Sequence, residues 1–416
     1  MKILHLNSYT SGGAAAAAQR LHSSLRAIRV ESNFLSASDL KERLLFSKTW
    51  LSNPIKKFRY WRFNQLQNKQ TSSRPSGASY FSQCESFFDL TLQPCYQQAD
   101  IIHLHWVSHF LDIPTFFLKN KKPVVWTLHD TQPITGGCHA NFDCEKWTNI
   151  ENCHQCPQLH PDFSANIAAQ QLKKKIETIQ NFHKNGGKIF VVSPSRWLYE
   201  MAQQSLIFEN CEHRQIYNGL NETDFEIVEQ QIARKKLGLP LNKKILLFIA
   251  ADLCDSRKGF QFLEQAMQNI GRPDLMIVTV GAGQSEWQGD SKIRHLGIFS
   301  DSNHLKLAYS AADYLVTPSL SDNLPNVIIE SFFCGTPVIG FPVGGIVEMI
   351  ENKINGYLCD NITAYSLAAT IDRALEKDYL IASNNSLIRA AAVKKYNLRH
   401  QAEQYKAIYE KLCSQK

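Results

Sequence analysis

The sequence predicts an α/β protein built from two doubly wound domains, each with a parallel sheet between layers of helices. Uninterrupted apolar runs such as KKILLFIAADL and LMIVTVGAG have the length and composition of buried strands. These runs alternate along the chain with amphipathic or charged helical segments, the order expected of parallel strands joined by helices. The 416 residues are enough for two domains with complete hydrophobic cores.

The composition is that of a folded globular chain rather than a disordered or disulfide-rich one. No apolar run reaches the roughly 20 residues needed to span a bilayer. The opening MKILHLNSY has the pattern of a buried strand rather than a signal peptide. We therefore expect a cytoplasmic protein, in which the eleven cysteines are free thiols or metal ligands because disulfides are disfavoured in the cytosol.

The first predicted unit is a strand, a turn and a helix, KILHLNSYTSGGAAAAAQRLHSSL. The strand should end at Ser8, and Gly12 and Gly13 should form the turn before an alanine-rich helix. Glycines at such a turn let a ligand approach the backbone closely, but the spacing is not the G-x-G-x-x-G of dinucleotide-binding domains. A ligand-binding loop and a purely structural turn both remain open from this stretch.

A basic insert occupies residues 41–75. Between residues 41 and 74, nine lysines and arginines stand against one glutamate, a net charge of +8 (nine minus one) in a chain whose total is +7. Aromatic residues are interleaved with these charges: Trp50, Phe58, Tyr60, Trp61 and Phe63. Such a mixture suits peripheral contact with an anionic membrane, with a solvated helical excursion as the alternative. Nucleic acid is not expected as a partner, because no RNA- or DNA-binding module surrounds the insert.

Two further strands, ADIIHLHW and KPVVWTLHD, are predicted before the chain reaches residue 131. The second one ends at His129 and Asp130. Because the carboxyl ends of parallel strands face the ligand crevice of an open sheet, His129 is a candidate site residue. The alternative is a histidine that caps the strand and hydrogen-bonds to the backbone. His103 and His105, inside the preceding strand, are interpreted as structural or as lining an acceptor site.

A Cys-rich loop follows over residues 136–159. It gathers four thiols within nineteen residues, the last two in a C-x-x-C pair: Cys138, Cys144, Cys153 and Cys156. Tetrahedral zinc accepts four thiolates, so the loop is a candidate structural zinc site that would hold the chain beside His129. Free thiols and, less compatible with the cytosol, a disulfide are the alternatives. A catalytic zinc is not expected, because protein ligands would fill all four positions.

The boundary between the domains is predicted near residue 217. We interpret KIFVVSPSRWL as the last strand of the first domain and IYNGLNETDF, which lacks strong apolar periodicity, as the linker. The first domain would cover residues 1–217 and the second residues 218–395. The final segment, residues 396–416, contains the helix HQAEQYKAIYEKL, which we expect to return to the first domain.

The second domain opens with the strand KKILLFIAADL and continues with CDSRKGFQFLEQAM. Ser256 is predicted to cap the following helix, which places Arg257 and Lys258 in its first turn. Cations in that position oppose the helix dipole, so an anion bound between them and the backbone amides would remove the conflict. The segment therefore indicates an anion site, with a solvated pair of cations as the alternative.

The segment SDNLPNVIIESFFCGTPVIGFPVGG carries two carboxylates, Asp322 and Glu330. Pro325 is predicted to be the first residue of a helix, with Asp322 or Asn323 as its cap. Glu330 then lies among apolar neighbours, where a carboxylate needs hydrogen-bond donors or a polar ligand. The alternative is an ordinary strand–helix–strand unit with a surface aspartate and a salt-bridged glutamate.

A pair of glycines, Gly344 and Gly345, ends the same segment after an apolar strand. Glycine turns and helix N-termini expose N–H groups that bind anions, typically phosphate. This part of the chain is therefore predicted to supply carboxylates for hydroxyl groups and backbone donors for phosphates.

The pattern resembles the carboxylate pair of the retaining glycosyltransferases of the GT-B fold, specifically the large family 4. The resemblance implies two Rossmann-like domains that face an inter-domain cleft. It also implies that Glu330 binds the ribose of a nucleotide and that Asp322 contacts the donor sugar. The positions that follow would contact sugar and phosphate: Asn323, Leu324 and Asn326. This chain departs from the family in having Asp322 where glutamate is commoner and Pro325 where many members have glycine.

The resemblance implies roles for residues elsewhere in the chain. Arg257 and Lys258 would bind the donor diphosphate in place of the divalent metal that other glycosyltransferases use, so no catalytic cofactor is expected. His129 would contact the donor sugar near the reacting carbon. Glycine turns and one loop would lie against the phosphates, the nucleotide and its base: Gly12, Gly13, Gly283, Gly297, Ile298, Gly344 and Gly345.

The activity that the resemblance implies is transfer of a sugar from a UDP- or GDP-type nucleoside-diphosphate sugar to a saccharide acceptor, with retention of anomeric configuration. The DNLPN motif resembles that of a subgroup found in bacterial exopolysaccharide and lipopolysaccharide pathways. That implies a lipid-linked or lipopolysaccharide acceptor and, with the basic insert, a place at the inner face of the cytoplasmic membrane. A sugar-nucleotide epimerase of the same fold and a non-catalytic scaffold subunit are the alternative functions.

Overall fold

The computed structural model of the chain describes residues 1–40, 54, 58, 61, 64–65, 75, 78–159, 166–283, 292–299, 301–376 and 385–414. The chain divides into two compact units, one made of Met1–Ile216 with Arg399–Lys416 and the other of Tyr217–Leu398. Nearly all of the basic insert lies outside the described residues, so its contact with a membrane stays a prediction. None of the described helices is long and apolar enough to cross a membrane.

Each unit contains one six-stranded sheet in which all the paired strands are parallel. The described strands, in chain order, are β1 (Lys2–Asn7), β2 (Glu31–Ser36), β3 (Ile101–Leu104), β4 (Val124–Thr127), β5 (Ile189–Ser193), β6 (Glu212–Gln215), β7 (Lys244–Asp252), β8 (Leu275–Ala282), β9 (Ile293–His295), β10 (Tyr314–Thr317), β11 (Val338–Gly340) and β12 (Gly356–Leu358). The strand order is β2-β1-β3-β4-β5-β6 in the first unit and β12-β11-β10-β7-β8-β9 in the second.

Helices join the strands in both units. Those described are α1 (Gly13–Ala27), α2 (Pro94–Gln98), α3 (Ile113–Lys119), α4 (Ile167–Lys184), α5 (Arg196–Gln204), α6 (Gln230–Lys236), α7 (Phe260–Asn269), α8 (Ser302–Ala311), α9 (Asn326–Phe333), α10 (Ala364–Leu375), α11 (Asn385–Lys395) and α12 (Leu398–Ser414). Several begin at a side-chain cap; Asp112 caps α3 and Ser195 caps α5, each by accepting a backbone N–H bond. The predicted alternation of strands and helices is thus present.

One strand of the first unit, β6, was not predicted from the sequence. KIFVVSPSRWL forms β5, but it is not the last strand of its sheet, because β6 pairs with its outer edge. The β6 sequence, EHRQ, alternates between exposed and partly exposed polar residues. An edge strand of this kind has no apolar run, so the rule that found the buried strands could not find it.

The helix α12 completes the core of the first unit. Its tyrosines Tyr405 and Tyr409 are fully buried against apolar side chains of the sheet. Their hydroxyls hydrogen-bond with strand residues, Tyr405 with Thr127 Oγ1 at 2.8 Å and Tyr409 with His103 Nδ1 at 2.7 Å. The C-terminal helix is therefore an integral part of the first unit.

The strand order of the second unit reverses between β7 and β10. From this central pair, β8 and β9 extend to one side while β11 and β12 extend to the other. Loops that follow the two central strands diverge at such a reversal and leave room for a ligand at the carboxyl edge of the sheet. Here those loops are residues 253–259 and 318–325, which contain most of the predicted charged site residues.

Candidate functional site

The loop after β10 differs in one respect from its prediction. Pro325 has extended backbone angles (φ −63°, ψ 119°) and precedes α9, which begins at Asn326 with no side-chain cap. The prediction that Pro325 opens the helix and that Asp322 or Asn323 caps it is therefore wrong. Asp322 does not cap the helix because its carboxylate pairs with a cation from the loop after β7.

That cation is Lys258, whose Nζ lies 2.5 Å from Oδ2 of Asp322. The two side chains are 30% and 16% exposed, so the pair is open to solvent and to a ligand. The two residues are 64 positions apart in the chain. Their contact joins the loop after β7 to the loop after β10, at the strand-order reversal. The two oppositely charged residues that the sequence singled out independently are thus direct neighbours.

The turn that carries Lys258 also differs from its prediction. Residues Ser256–Lys258 form a separate 3₁₀ turn whose cap is Asp255 rather than Ser256, and α7 begins only at Phe260. The cations therefore precede the helix instead of lying in its first turn. Gly259 makes the connection with a left-handed backbone (φ +73°), and a Cβ atom there would lie 1.9 Å from the Pro318 carbonyl oxygen. Only glycine fits this close approach.

Arg257 is held by the residue that caps its own turn. Its guanidinium places Nη2 2.6 Å from Oδ2 and Nε 3.2 Å from Oδ1 of Asp255, a bidentate pair. The side chains are 32% and 25% exposed. Ion pairs at exposed positions contribute only about 0–1 kcal/mol, so a phosphate could replace or share these carboxylate partners at little cost.

Glu330 lies in the second turn of α9 and is 7% exposed. Its Oε2 accepts a hydrogen bond from the Tyr309 hydroxyl at 2.9 Å, which meets part of the need of a buried carboxylate for donors. Tyr309 stands on α8, 21 residues earlier, and is itself fully buried. The sequence analysis missed it because nothing in the local pattern of α8 connects it with Glu330.

The glycine pair after β11 packs against the same loop. The N–H of Gly345 donates to the Asp322 carbonyl at 3.1 Å, and a Cβ atom on Gly344 (φ +50°) would lie 2.0 Å from that oxygen. The prediction that both N–H groups serve a phosphate is therefore wrong for Gly345. The pair instead allows the turn Gly344–Glu348 to approach Asp322 closely.

The other predicted donor-site residues of the second unit take varied positions. Leu324 packs in the hydrophobic core and Asn323 is buried, while Asn326 accepts a 3.5 Å hydrogen bond from Asn218. Gly283 follows β8 with a left-handed backbone (φ +91°) beside Asp252 and Cys254. Ile298, beyond β9, is 71% exposed and is free to contact an apolar base.

In the first unit, His129 follows β4 and joins a row of histidines. His129 Nε2 lies 3.0 Å from His105 Nδ1, and His105 Nε2 lies 2.9 Å from His5 Nδ1. The neighbouring His103 bonds with Tyr409 and Thr127. Burial lowers the pKa of His129 to about 4 and that of His5 to about 3, and burial next to other histidines lowers the pKa of His103 and His105 well below 6.5. The row is therefore neutral at ordinary pH.

Asp130 lies beside this row and is paired. Its Oδ2 accepts hydrogen bonds from His139 Nδ1 and Trp106 Nε1, both at 2.6 Å. Burial alone would raise the pKa of this carboxyl, but the charge and hydrogen bond of His139 lower it. About 20% of the Asp130 side chain is exposed. The sequence predicted the position of Asp130 at the strand end but not its partners.

Two aromatic side chains continue the site of the first unit. Tyr9, 52% exposed, stacks on Trp106 with ring centroids 5.2 Å apart. Three residues later Gly12 turns the chain (φ +92°) so that α1 begins at Gly13, and a Cβ on Gly12 would meet no atom within 4 Å. The sequence analysis missed this stack, because residues 9 and 106 come together only through the pairing of β1 with β3.

The four cysteines of the Cys-rich loop also lie in the first unit. All of them line one small cavity, and the sulfurs of Cys138 and Cys156 are 3.5 Å apart. The hydrogen bond between these two thiols raises the pKa of Cys138 and lowers that of Cys156. The loop brings together the thiols that the sequence grouped.

Known structures share this architecture along the whole chain. The sucrose-phosphate synthase of Thermosynechococcus elongatus superposes with a TM-score of 0.68 at 18% identity and 100% coverage of both chains. HepE of Anabaena, solved in complex with UDP and glucose, superposes with a TM-score of 0.61 at 15% identity and 99% coverage of both. Together with the two parallel sheets, these likenesses confirm the predicted α/β fold of the GT-B class.

The sequence relatives of the chain are glycosyltransferases. The family described as "Glycosyl transferases group 1" matches residues 243–377. An uncharacterized glycosyltransferase of Methanocaldococcus jannaschii is 26% identical over 68% of each chain. The putative colanic acid biosynthesis glycosyl transferase WcaC of Escherichia coli is 28% identical over 63% of this chain and 64% of its own length. The chain has the GT-B fold and is similar in sequence to glycosyltransferases, and the matched segments span about two thirds of these relatives.

Proposed function

We propose that the protein is a retaining glycosyltransferase that moves a sugar from a UDP- or GDP-type nucleoside-diphosphate sugar to a saccharide acceptor. The observation that carries this proposal is the contact of Lys258 with Asp322, 2.5 Å, at the strand-order reversal of the second sheet. Lys258 can bind a phosphate and Asp322 can bind hydroxyl groups. Both side chains are partly exposed, and they lie on adjoining loops. The likeness to HepE, a structure that holds UDP and glucose, supports a donor of this class.

In the proposed donor complex the second unit binds the nucleotide sugar. Arg257 and Lys258 turn toward the diphosphate and stabilise the charge that develops on it as the bond to the sugar breaks, and preorganised charge of this kind is usually the largest catalytic contribution. Asp322 then binds hydroxyls of the donor sugar. Glu330, whose carboxylate accepts a hydrogen bond from Tyr309, binds the ribose hydroxyls. These cations take the place of a divalent metal.

The acceptor belongs to the first unit in this proposal. The apolar face of a sugar ring packs well on an aromatic face. Tyr9 presents such a face and stacks on Trp106, which donates a hydrogen bond to Asp130. The contact of His129 with the donor sugar, which the resemblance to family 4 implies, stays a prediction. We assign no covalent nucleophile to the protein; the leaving diphosphate takes the proton of the acceptor hydroxyl on the same face of the sugar. The likeness to WcaC, a putative colanic acid biosynthesis glycosyl transferase, supports a polysaccharide acceptor. A lipid-linked acceptor at the membrane stays a prediction.

The first test is nucleotide binding by the full-length chain. Thermal unfolding is followed with UDP, GDP, ADP and CMP, since a ligand that binds only the folded state raises the unfolding temperature with its occupancy. We expect one nucleoside diphosphate to give a clear shift, lost in Glu330→Ala and largely kept in Tyr309→Phe, which removes the partner of Glu330 but not the carboxylate. Absence of a shift with every nucleotide would contradict the proposal.

A second measurement concerns the reaction itself. The nucleotide sugar of the selected base is incubated with and without a saccharide acceptor, and the product anomer is determined by NMR. The proposal requires acceptor-dependent release of nucleoside diphosphate and a product with the donor's configuration. An inverted product would remove retention from the proposal, and conversion of the nucleotide sugar without acceptor would favour an epimerase instead.

A further inference from the structure

The cavity of the Cys-rich loop has the dimensions of an ion site. It encloses about 10 Å³ and has all four thiols of the loop in its lining, a volume close to one water-sized sphere. Its closest sulfurs, those of Cys138 and Cys156, are 3.5 Å apart. Four sulfurs at ~2.3 Å around a tetrahedral zinc ion stand ~3.8 Å from one another, so this pair is already near the spacing that zinc requires.

The other two sulfurs lie somewhat farther away. Within the described part of the chain, the only three His, Cys, Asp or Glu ligand atoms that all lie within 4.8 Å of one another belong to His5, His103 and His105. Neither Cys144 nor Cys153 therefore has its sulfur within 4.8 Å of both members of the close pair. A metal with four thiolate ligands would draw at least one of them inward. The segment between Cys144 and Cys153 contains two short 3₁₀ turns, Lys146–Thr148 and Ile150–Asn152.

A buried cation next to the cavity supplies an independent observation. Lys175 on α4 is 1% exposed, and its Nζ donates to the carbonyl oxygens of Gln132 at 2.6 Å and Thr135 at 3.0 Å. Among the described residues no carboxylate lies within 4 Å of this ammonium group. Burying a charge without a counter-charge is costly, and Thr135, one of the two residues whose carbonyls bind Lys175, lines the cavity together with the four cysteines.

We propose that the four thiols of this cavity bind one structural zinc ion as thiolates, and that Lys175 balances the resulting charge. Four thiolates and Zn²⁺ carry a net charge of −2, so the centre provides the negative charge that the buried ammonium lacks. An all-sulfur tetrahedral set selects zinc or iron among the common metals. Neutral thiols would leave Lys175 with two backbone carbonyls but no counter-charge within 4 Å, and a disulfide between Cys138 and Cys156 would remove two of the negative groups.

The ion would have a positioning role. The Cys138 carbonyl accepts hydrogen bonds from the hydroxyls of Thr131 and Thr135, and the next residue, His139, holds Asp130. Fixing Cys138 therefore fixes the side chain that orients Asp130 at the end of β4. The zinc centre stabilises the loop that borders the first unit's site and takes no part in the chemical step.

The test is the metal content of the full-length chain, purified under reducing conditions without chelator from cells grown with zinc. We expect about one zinc per chain by mass spectrometry of the metal, as for other four-thiolate sites. Cys138→Ser and Cys156→Ser should lose it, whereas Cys413→Ser, which removes a thiol on α12 of the same unit, should keep it. Lys175→Met should weaken zinc binding about 10–100-fold, the size usual for neighbours of metal ligands.

A second measurement works even if the serine variants do not fold. A thiol-specific mercurial added to the wild-type protein should release its zinc while a colorimetric chelator records the amount. Metal-free wild-type protein with all eleven thiols reactive after denaturation would overturn the proposal. So would two fewer reactive thiols, which would indicate the disulfide, or iron in place of zinc. Zinc retained equally by both serine variants would place the ion elsewhere and also overturn it.

Discussion

The polar side chains of the two units are arranged in opposite ways. In the second unit, Arg257 and Lys258 rest on carboxylates, and all four side chains of these pairs are between 16% and 32% exposed. In the first unit, His5, His103 and His105 are at most 2% exposed and hydrogen-bond with other histidines, a threonine and a tyrosine. The first arrangement holds charges near solvent, and the second holds neutral rings away from it.

This difference indicates how each unit would meet its ligand. Exposed ion pairs are individually weak, so the cations of the second unit can turn to a diphosphate and return to their carboxylates after it leaves. Buried imidazoles cannot exchange partners so easily, because any change in protonation must be made in a dehydrated interior. The second unit is therefore suited to bind and release a charged ligand, while the first keeps a fixed, uncharged set of buried rings behind the ends of its strands.

The comparison predicts that acid destabilises the first unit more than the second. This difference in stability is the largest effect that we expect. Burial lowers the folded-state pKa of His5 to about 3 and of His129 to about 4, and those of His103 and His105 well below 6.5. A histidine whose pKa is lowered by folding stabilises the fold above its unfolded pKa of about 6.5, and this contribution is lost as pH falls toward the folded pKa. Each imidazole accounts for up to about 1.4 kcal/mol per pH unit.

The measurement is hydrogen exchange of the full-length chain at pH 7 and pH 5, corrected for the intrinsic pH dependence of exchange. We expect protection in β3 and β4 to fall markedly at pH 5, and protection in β7 and β8 to change little. The second unit is a built-in control, because its two histidines, His295 and His304, are both exposed. An equal loss in both units would show that the buried histidines are not the cause.

The next largest effect concerns the exposed cations. Lys258→Ala should lower kcat about 100-fold with the nucleotide sugar, because a preorganised charge on the leaving group is typically worth about 3 kcal/mol. Lys258→Arg should recover part of the loss. Lys306→Ala is the matched control, since Lys306 pairs with Glu226 at 3.1 Å in the same unit but outside the site. Turnover of Lys258→Ala within about twofold of the wild type would remove Lys258 from the mechanism, whatever the control shows.

The same contrast explains how much the sequence could predict. Arg257, Lys258 and Asp322 could be predicted from the sequence because they fall in two short segments, CDSRKG and SDNLP, whose charges stand out among apolar strands. Even there, the sequence misplaced the helix starts, because it could not show that Asp322 bonds with Lys258 rather than with its own helix. Gly259 was missed for the same reason: its need for glycine comes from the carbonyl of Pro318, 59 residues away in the chain.

The site of the first unit depends more on distant partners. His129 was found from its place at a strand end, but the row behind it requires the pairing of β1 with β3 and of β3 with β4. Tyr9 and Trp106 meet through the same pairing, and Lys175 reaches the Cys-rich loop from α4. Strand order and register are set by the whole sheet, so local patterns predicted the elements of this site but not their contacts.

The smallest effect that we predict concerns the binding of the acceptor by the first unit. Tyr9 offers one face to solvent while the other stacks on Trp106, and its carbonyl accepts a hydrogen bond from Asn7 that fixes the backbone beneath the ring. Tyr9→Ala should raise the KM for a saccharide acceptor about fivefold, the equivalent of about 1 kcal/mol for an aromatic contact. Donor affinity should not change. Tyr9→Phe should behave like the wild type if the ring face is what binds.

The control for this variant is Tyr365→Ala, which removes a tyrosine that is 79% exposed on α10 of the second unit. Steady-state kinetics with the acceptor varied at saturating donor, together with donor binding by calorimetry, separate the two substrates. A weaker donor with an unchanged acceptor KM in Tyr9→Ala would contradict the division of roles, because it would place the exposed ring with the nucleotide sugar. An increase in acceptor KM alone would locate the acceptor on the first unit, next to the neutral histidines rather than the exchangeable charges.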